Sequence, residues 1–305
     1  MARKSTLVLF LFLVGLIGYF LISYPAVPAS APAPAPNGVF TFVVLGDVKV
    51  VAGKPQRLSS VVLTRLIAQI NKEKPQLVFF VGDGPMNGGP IQNMYAYRAY
   101  LSQLNVPWYP VIGNHELYHG AAADGKKGDG EQNFKQVFSD KLGDVCYYSV
   151  DYRQTRFVVL NTAAMEEDIG SETLYPGGPQ WQWLNNEISS AHRKGQLTFV
   201  LDHIPAVMPV NSSYTYGWHD ADAAAEFVRL MNKYAVKAVF SGHVHAFRDL
   251  PLEGVDYIIS GGAGAELTLP ADKGGFYHYV RGRIDGRKFS YDVVPLEDTL
   301  GLPEK

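Results

Sequence analysis

The sequence predicts an α/β fold: a largely parallel sheet flanked by helices, with antiparallel strands toward the C-terminus. Three observations predict it. Short apolar runs alternate with stretches whose apolar residues recur four apart, the periods of buried strands and of helices. Successive apolar runs stop at Gly-Asp, Gly-Asn or Asp-His, so each ends at a turn. The last long segment carries Asp285-Gly286 between two apolar stretches, a strong two-residue hairpin signal.

The elements follow in order. Phe40–Leu45 is a continuous apolar run and predicts a buried strand. Residues 56–72 set Leu58, Val62, Leu66 and Ile70 on one helical face. QLVFFVGD predicts a second strand, Tyr95–Leu104 a helix and VPWYPVIGN a third strand. Residues 120–130 are polar and glycine-rich, which predicts a loop. VCYYSVD and RFVVLNT predict paired strands. In residues 179–192, Trp181, Leu184 and Ile188 share a helical face, and Gly195 is placed to end that helix. LTFVLDH predicts a strand. Residues 223–234 predict a helix with Phe227, Met231 and Tyr234 inward. KAVFSGHVH and VDYIISGG predict strands, and FYHYVRGRIDGRKFSYDVV a hairpin turning at Asp285-Gly286.

The chain has 305 residues, 47% of them hydrophobic, enough for a sizeable core. A net charge of −2 leaves no electrostatic footprint for nucleic acid. Cys146 is the single cysteine, so no intrachain disulfide can form. Near the N-terminus, Arg3 and Lys4 precede an uncharged, mostly apolar run from Leu7 to Ile22, about the ~17–20 residues a membrane-spanning helix needs. Residues 1–23 are therefore expected to be a signal-anchor, or a signal peptide if cleaved. The basic flank keeps the N-terminus cytoplasmic and sends the rest across, so the domain is expected in the periplasm or outside the cell. Residues 24–38 alternate Ala and Pro and predict an extended spacer. Residues 39–298 form the expected catalytic domain and 299–305 a tail. The membrane, through the N-terminal helix, is an expected partner; no protein partner is.

Ligands of open α/β sheets sit outside the carboxyl ends of the strands. Here five strand ends carry one chemistry: Gly46-Asp47, Gly82-Asp83, Gly113-Asn114-His115-Glu116, Asp202-His203 and Gly242-His243-Val244-His245. Four of the eight histidines are among them. Each piece alone reads as a turn, a cap or a buried histidine. Together they suit a shared divalent metal centre of Mn, Fe or Zn, because imidazole, carboxylate and amide oxygen are the donors such ions take. If the Gly-His-Val-His segment stays extended, the rings of His243 and His245 point the same way.

The order Gly-Asp, Gly-Asp, Gly-Asn-His-Glu, His, Gly-His-x-His resembles the calcineurin-like metallophosphoesterases, which include purple acid phosphatases. The resemblance runs from about Phe40 to Pro295, and GGPQWQWLNNEI and YIISGGAGA share in it. It implies a two-sheet mixed β-sandwich with helices outside. It implies one or two metal ions, with Asp83 bridging, Asn114, His203 and His243 on the second ion, and Asp47 and His245 on the first. It implies a phosphate ester substrate, attack by a hydroxide held between the ions, and His115 as general acid to the leaving oxygen.

Lys49 departs from the pattern. The family has a histidine ligand two residues after the first Asp, and purple acid phosphatases use a tyrosine three residues after the second. Those positions here are Lys49 and Met86. A lysine ligates only when deprotonated, and bringing one from about 10.4 to 7 costs about 4–5 kcal/mol. Lys49 then points away, replaces the first ion's charge, binds a substrate phosphate oxygen, or pairs with Asp47 at the surface. Two other functions follow from single features. A non-catalytic relative that only binds phosphate or metal would need neither ligand. His115-Glu116-Leu117-Tyr118-His119 matches the H-E-x-x-H pattern of zinc peptidases. That chemistry needs a continuous helix, whereas Gly113-Asn114 and Gly120 flank these residues, and it leaves Asp83, His203 and His243 without a role. Gly261-Gly262-Ala263-Gly264 is read as close backbone packing near the site.

Overall fold

The computed structural model describes residues 38–88, 90–117, 129–163, 174–208 and 217–303. The expected anchor and the Ala/Pro spacer up to Asn37 lie outside them, as do Tyr118, His119 and most of the 120–130 loop. Among the described residues, no helix is long and apolar enough to cross a membrane.

Two mixed sheets stack with helices outside both. The first has the order β11-β10-β1-β2-β3: β1 (Phe40–Leu45), β2 (Leu77–Val81) and β3 (Trp108–Val111) are parallel, and the hairpin β10 (His278–Asp285) and β11 (Lys288–Pro295) adds antiparallel to β1. The second has the order β4-β5-β6-β7-β9-β8. Here β5 (Thr155–Val159), β6 (Leu197–Leu201), β7 (Ala238–Ser241) and β9 (Val255–Ser260) are parallel, with β4 (Tyr148–Tyr152) and β8 (Phe247–Leu252) antiparallel at the edges. The sequence alone predicts one principal sheet; the second sheet comes only from the family resemblance.

Period-2 alternation builds the layers. Phe157, Phe199 and Phe240 face the first sheet, where Phe42 lies 5.0, 5.3 and 5.8 Å from them between ring centroids. All four rings are fully buried, each contributing about 1.5–3 kcal/mol. The intervening Val158, Val200 and Val239 face outward onto α5 (Pro179–Arg193) and α6 (Ala221–Lys233) through Leu184, Ile188, Phe227 and Met231. On the other side α1 (Leu58–Glu73) and α2 (Ile91–Leu101) join the core of the first sheet.

Three local expectations change. A helix, α4 (Gly130–Val137), starts where only a loop was expected; it buries Phe134 and Val137, three apart, but begins on glycine with no side-chain cap. The edge strand β8 carries Arg248, Asp249 and Pro251, which hide a strand in sequence. In the final hairpin Asp285 pairs with Lys288, so the central turn residues are Gly286 and Arg287, one later than expected; Gly286 takes the positive φ of 61°.

Candidate metal centre

The parallel strands of both sheets end on one side, and the loops leaving β1, β2, β3, β6 and β7 meet there. Their backbones are held by one another. Asp47 N–H donates to the Gly82 carbonyl (3.0 Å), and Val48 and Lys49 N–H donate to the Asp83 carbonyl (2.9 and 3.0 Å). Ala263 and Ala265 of the glycine-rich turn donate to the Gly46 and Asp47 carbonyls at 2.9 and 2.8 Å. Asp47, Lys49, Asp83 and His243 all sit at positive φ, between 54 and 69°. Such conformations cost about 1–3 kcal/mol each and persist where the surroundings over-determine them. Gly82, at φ 87°, is a glycine for two reasons: a Cβ there would come within 2.3 Å of His203 Nδ1.

Asp83 is the centre of the cluster. Its Oδ1 accepts from His115 N–H (3.0 Å) and lies 3.1 Å from His203 Nε2. Its Oδ2 faces Lys49 Nζ at 3.5 Å and His115 Nε2 at 3.8 Å. His203 donates Nδ1–H to the Val81 carbonyl (2.7 Å), which turns Nε2 toward both Asp83 Oδ1 and Asn114 Oδ1 (2.8 Å). The His203 and His243 rings lie 5.2 Å apart, and His243 N–H donates to the Asp47 carboxylate. His245 Nδ1 binds the Glu266 carbonyl (2.6 Å), leaving Nε2 3.6 Å from Asp47 Oδ1. The His-Val-His segment is a bend rather than an extended strand, so its rings do not arrive by period-2 geometry. All eight residues singled out in the sequence therefore gather at one place. Lys49 neither points away nor remains at the surface: its side chain is 15% exposed and its ion pair is with Asp83, not Asp47.

The electrostatics favour a positive charge, a proton or a metal ion, among these groups. Burial opposes charge on Asp83, but His203, His115 and Lys49 hold its carboxyl well below the usual range. Burial, then Asp83, pushes Asp47 up to about 7, against His203 and Lys49. Burial also disfavours charge on His203, yet the Asp83 and Asp47 carboxylates carry it up to about 10. Ligand atoms of Asp47, Asp83 and His203 lie within 4.8 Å of one another, all three residues buried. An imidazole nitrogen aimed at two oxygens needs a proton or a metal ion between them. The donor set fits a divalent transition metal.

Other residues position these. Glu116 is fully buried and accepts three backbone N–H bonds, from Asp83 (3.0 Å), Gly84 (2.8 Å) and Gly113 (2.7 Å). Its place beside Asn114 and His115 was legible; its role as the clamp between two loops was not. α3 (Asn114–Leu117) is four residues long. It carries His115 and Glu116, while Tyr118 and His119 lie outside the described residues. Thr162 Oγ1 accepts from His203 and Ile204 N–H, a contact across 41 and 42 residues with no sequence signal. Asp202, buried, accepts from Ser241 Oγ at 2.6 Å. A cavity of about 860 Å³ opens beside the cluster, lined by Lys49, Arg57, Met86, His245, Glu266 and Thr268 among others.

Two stacked mixed sheets between helices, with acids, amide and imidazoles at one shared end, define a metallophosphoesterase fold. The chain belongs to the calcineurin-like phosphoesterase family, which it matches over residues 40–247. It is 26% identical over 283 aligned residues to the probable inactive purple acid phosphatase 1 of Arabidopsis thaliana, across 80% of this chain and 44% of that protein. It is 24% identical over 228 residues to the Fe(3+)-Zn(2+) purple acid phosphatase 12 of the same plant, across 71% and 44%. The chain thus spans less than half the length of these relatives. The purple acid phosphatase PPD1 from yellow lupin (Lupinus luteus) seeds superposes with a TM-score of 0.67 at 19% identity, over 87% of this chain and 53% of that one.

Proposed function

We propose that this chain is a metal-dependent phosphoesterase that hydrolyses phosphate monoesters or diesters. The observation that carries the reading is the convergence of Asp47, Asp83 and His203 within 4.8 Å, with Asn114 and His243 alongside and His115 at the rim. Asp47, Asp83, Asn114, His203, His243 and His245 are the residues that would hold metal. Bound metal would neutralise charge on the phosphoryl oxygens and make water a nucleophile near neutral pH.

The chain's own contribution is position and proton supply. His115 donates Nδ1–H to the Met86 carbonyl at 2.6 Å, which fixes its tautomer and leaves Nε2 to carry the movable proton. With its side chain 22% exposed, His115 can reach a leaving oxygen and protonate it from Nε2. Burial and then Lys49 lower its pKa, against the pull of Asp83, so the imidazolium is a stronger acid than usual. The cavity beside Lys49 is sized for a leaving group, and Arg57 gives its rim a positive charge. An anchor at residues 1–23 would hold this site beside a membrane on the non-cytoplasmic side, and membrane fractionation tests that part of the proposal.

The test is phosphate release from an aryl monoester and a diester by the purified chain, with chelator and after metal is restored. Chelator-sensitive hydrolysis recovered by manganese, iron or zinc supports the reading. A second reading, a non-catalytic binder, draws on Lys49 and Met86 at ligand positions and on a relative described as probably inactive. Phosphate or metal binding without turnover in the same assay would favour it.

A further inference from the structure

The two oxygens of Asp83 look onto chemically different surroundings. On the Oδ1 side lie His203 Nε2 and Asn114 Oδ1, both ligand atoms. On the Oδ2 side the nearest cation is the ammonium of Lys49, at 3.5 Å. That ammonium is held there by the chain. Lys49 sits at φ 61°, its N–H donates to the Asp83 carbonyl, and its own carbonyl accepts from Ser59 Oγ at 3.2 Å. The backbone on both sides of the side chain is thus fixed, and the side chain is mostly buried against the carboxylate it pairs with.

We infer that Lys49 is a built-in cation that takes the place of one metal ion, so that this chain's centre holds a single ion on the Oδ1 side of Asp83, within the Asp47–Asp83–His203 triangle. The inference rests on the reading of the site as a metal-dependent phosphoesterase. Relatives such as the Fe(3+)-Zn(2+) enzyme are named for two metals. An ammonium on Oδ2 repels a second divalent ion. The same position fills part of the charge role that ion would have. Met86 brings no carboxylate, imidazole or phenol to this side, and its carbonyl is already taken by His115. Lys49 also lines the cavity of about 860 Å³ beside the cluster. One divalent ion and one fixed monovalent cation would then share the non-bridging oxygens.

The test is metal content per chain, by mass spectrometry, after manganese loading and dialysis of the full-length protein, its Lys49→Met variant and its Lys49→His variant. Circular dichroism checks that each is folded, and phosphate release is measured in parallel. One ion in the wild type, rising to two in Lys49→His and gaining at least a weak second site in Lys49→Met, is the expected result. Two ions in a hydrolysing wild type would overturn the role of Lys49 and leave the phosphoesterase reading intact. One ion in all three folded proteins would do the same, because something other than the ammonium would then exclude the second ion. No ion and no chelator-sensitive hydrolysis in the wild type would overturn both.

Discussion

Nε2 of His203 stands 3.1 Å from Oδ1 of Asp83, and that contact joins the two sheets, since Asp83 follows β2 and His203 follows β6. Each sheet supplies three of the six side chains proposed to hold metal: Asp47, Asp83 and Asn114 from one, His203, His243 and His245 from the other. His203→Ala is expected to weaken metal binding by more than the ~10–100-fold typical of outer-shell partners, and to lower hydrolysis in parallel. Isothermal titration with manganese measures the first, and unchanged affinity would remove His203 from the ligand set.

Glu116 ties the loop after β2 to the loop after β3 through three backbone donors. A glutamine there keeps one oxygen and turns an NH₂ group toward at least one N–H. Leaving a buried donor unmet costs about 1–3 kcal/mol. Urea unfolding of Glu116→Gln should show a loss of that size; equal stability would mean the loops are held by other contacts.

His115 gives the activity a pH direction. Its pKa lies below the ordinary 6.5, chiefly from burial. In its proposed role as proton donor His115 works in the protonated form, so activity is expected below that pKa and should be lost as pH rises through it. The alkaline limb of monoester hydrolysis should fall below pH 6.5. His115→Asn should slow esters with poor leaving groups by about 10²–10⁴-fold and spare those with good ones. A uniform effect on both leaving groups would argue against proton donation.

His278 should contribute to the acid sensitivity of the fold. It is fully buried, and its Nε2 has no hydrogen-bond partner among the described residues. Burial lowers its pKa from 6.5 to about 4. The unfolded chain takes up the proton near 6.5 and the folded chain only near 4. The contribution of His278 to stability is therefore full above 6.5 and declines as pH falls toward 4, by about 3 kcal/mol. His278→Leu should flatten this decline in denaturant titrations at pH 7 and 4.5; an unchanged slope would place the sensitivity elsewhere.

The strand ends were the legible part of the site, because each places a short apolar run directly before a polar donor and needs no distant contact to be seen. Asp47, Asp83, Asn114 and His203 follow from that pattern alone. Thr162 and Glu116 were not legible in their roles, because a hydroxyl or carboxylate bonding backbone across a loop leaves no periodic trace. Nor could the sequence say which carboxylate Lys49 chooses; that depends on the positive φ at Asp47, Lys49 and Asp83 together. For the fold, the helix α4 hid behind its glycine start and the edge strand β8 behind its proline and charges. The partition into two sheets depends on where Phe42 meets Phe157, Phe199 and Phe240, contacts made across more than a hundred residues of chain.

The most direct measurement is anomalous diffraction from manganese-loaded crystals of the protein. The account predicts a peak within coordination distance of Asp83 Oδ1 and His203 Nε2, bordered by Asp47 and Asn114. Loaded crystals with no peak at that place, while the side chains keep the arrangement described, would contradict it.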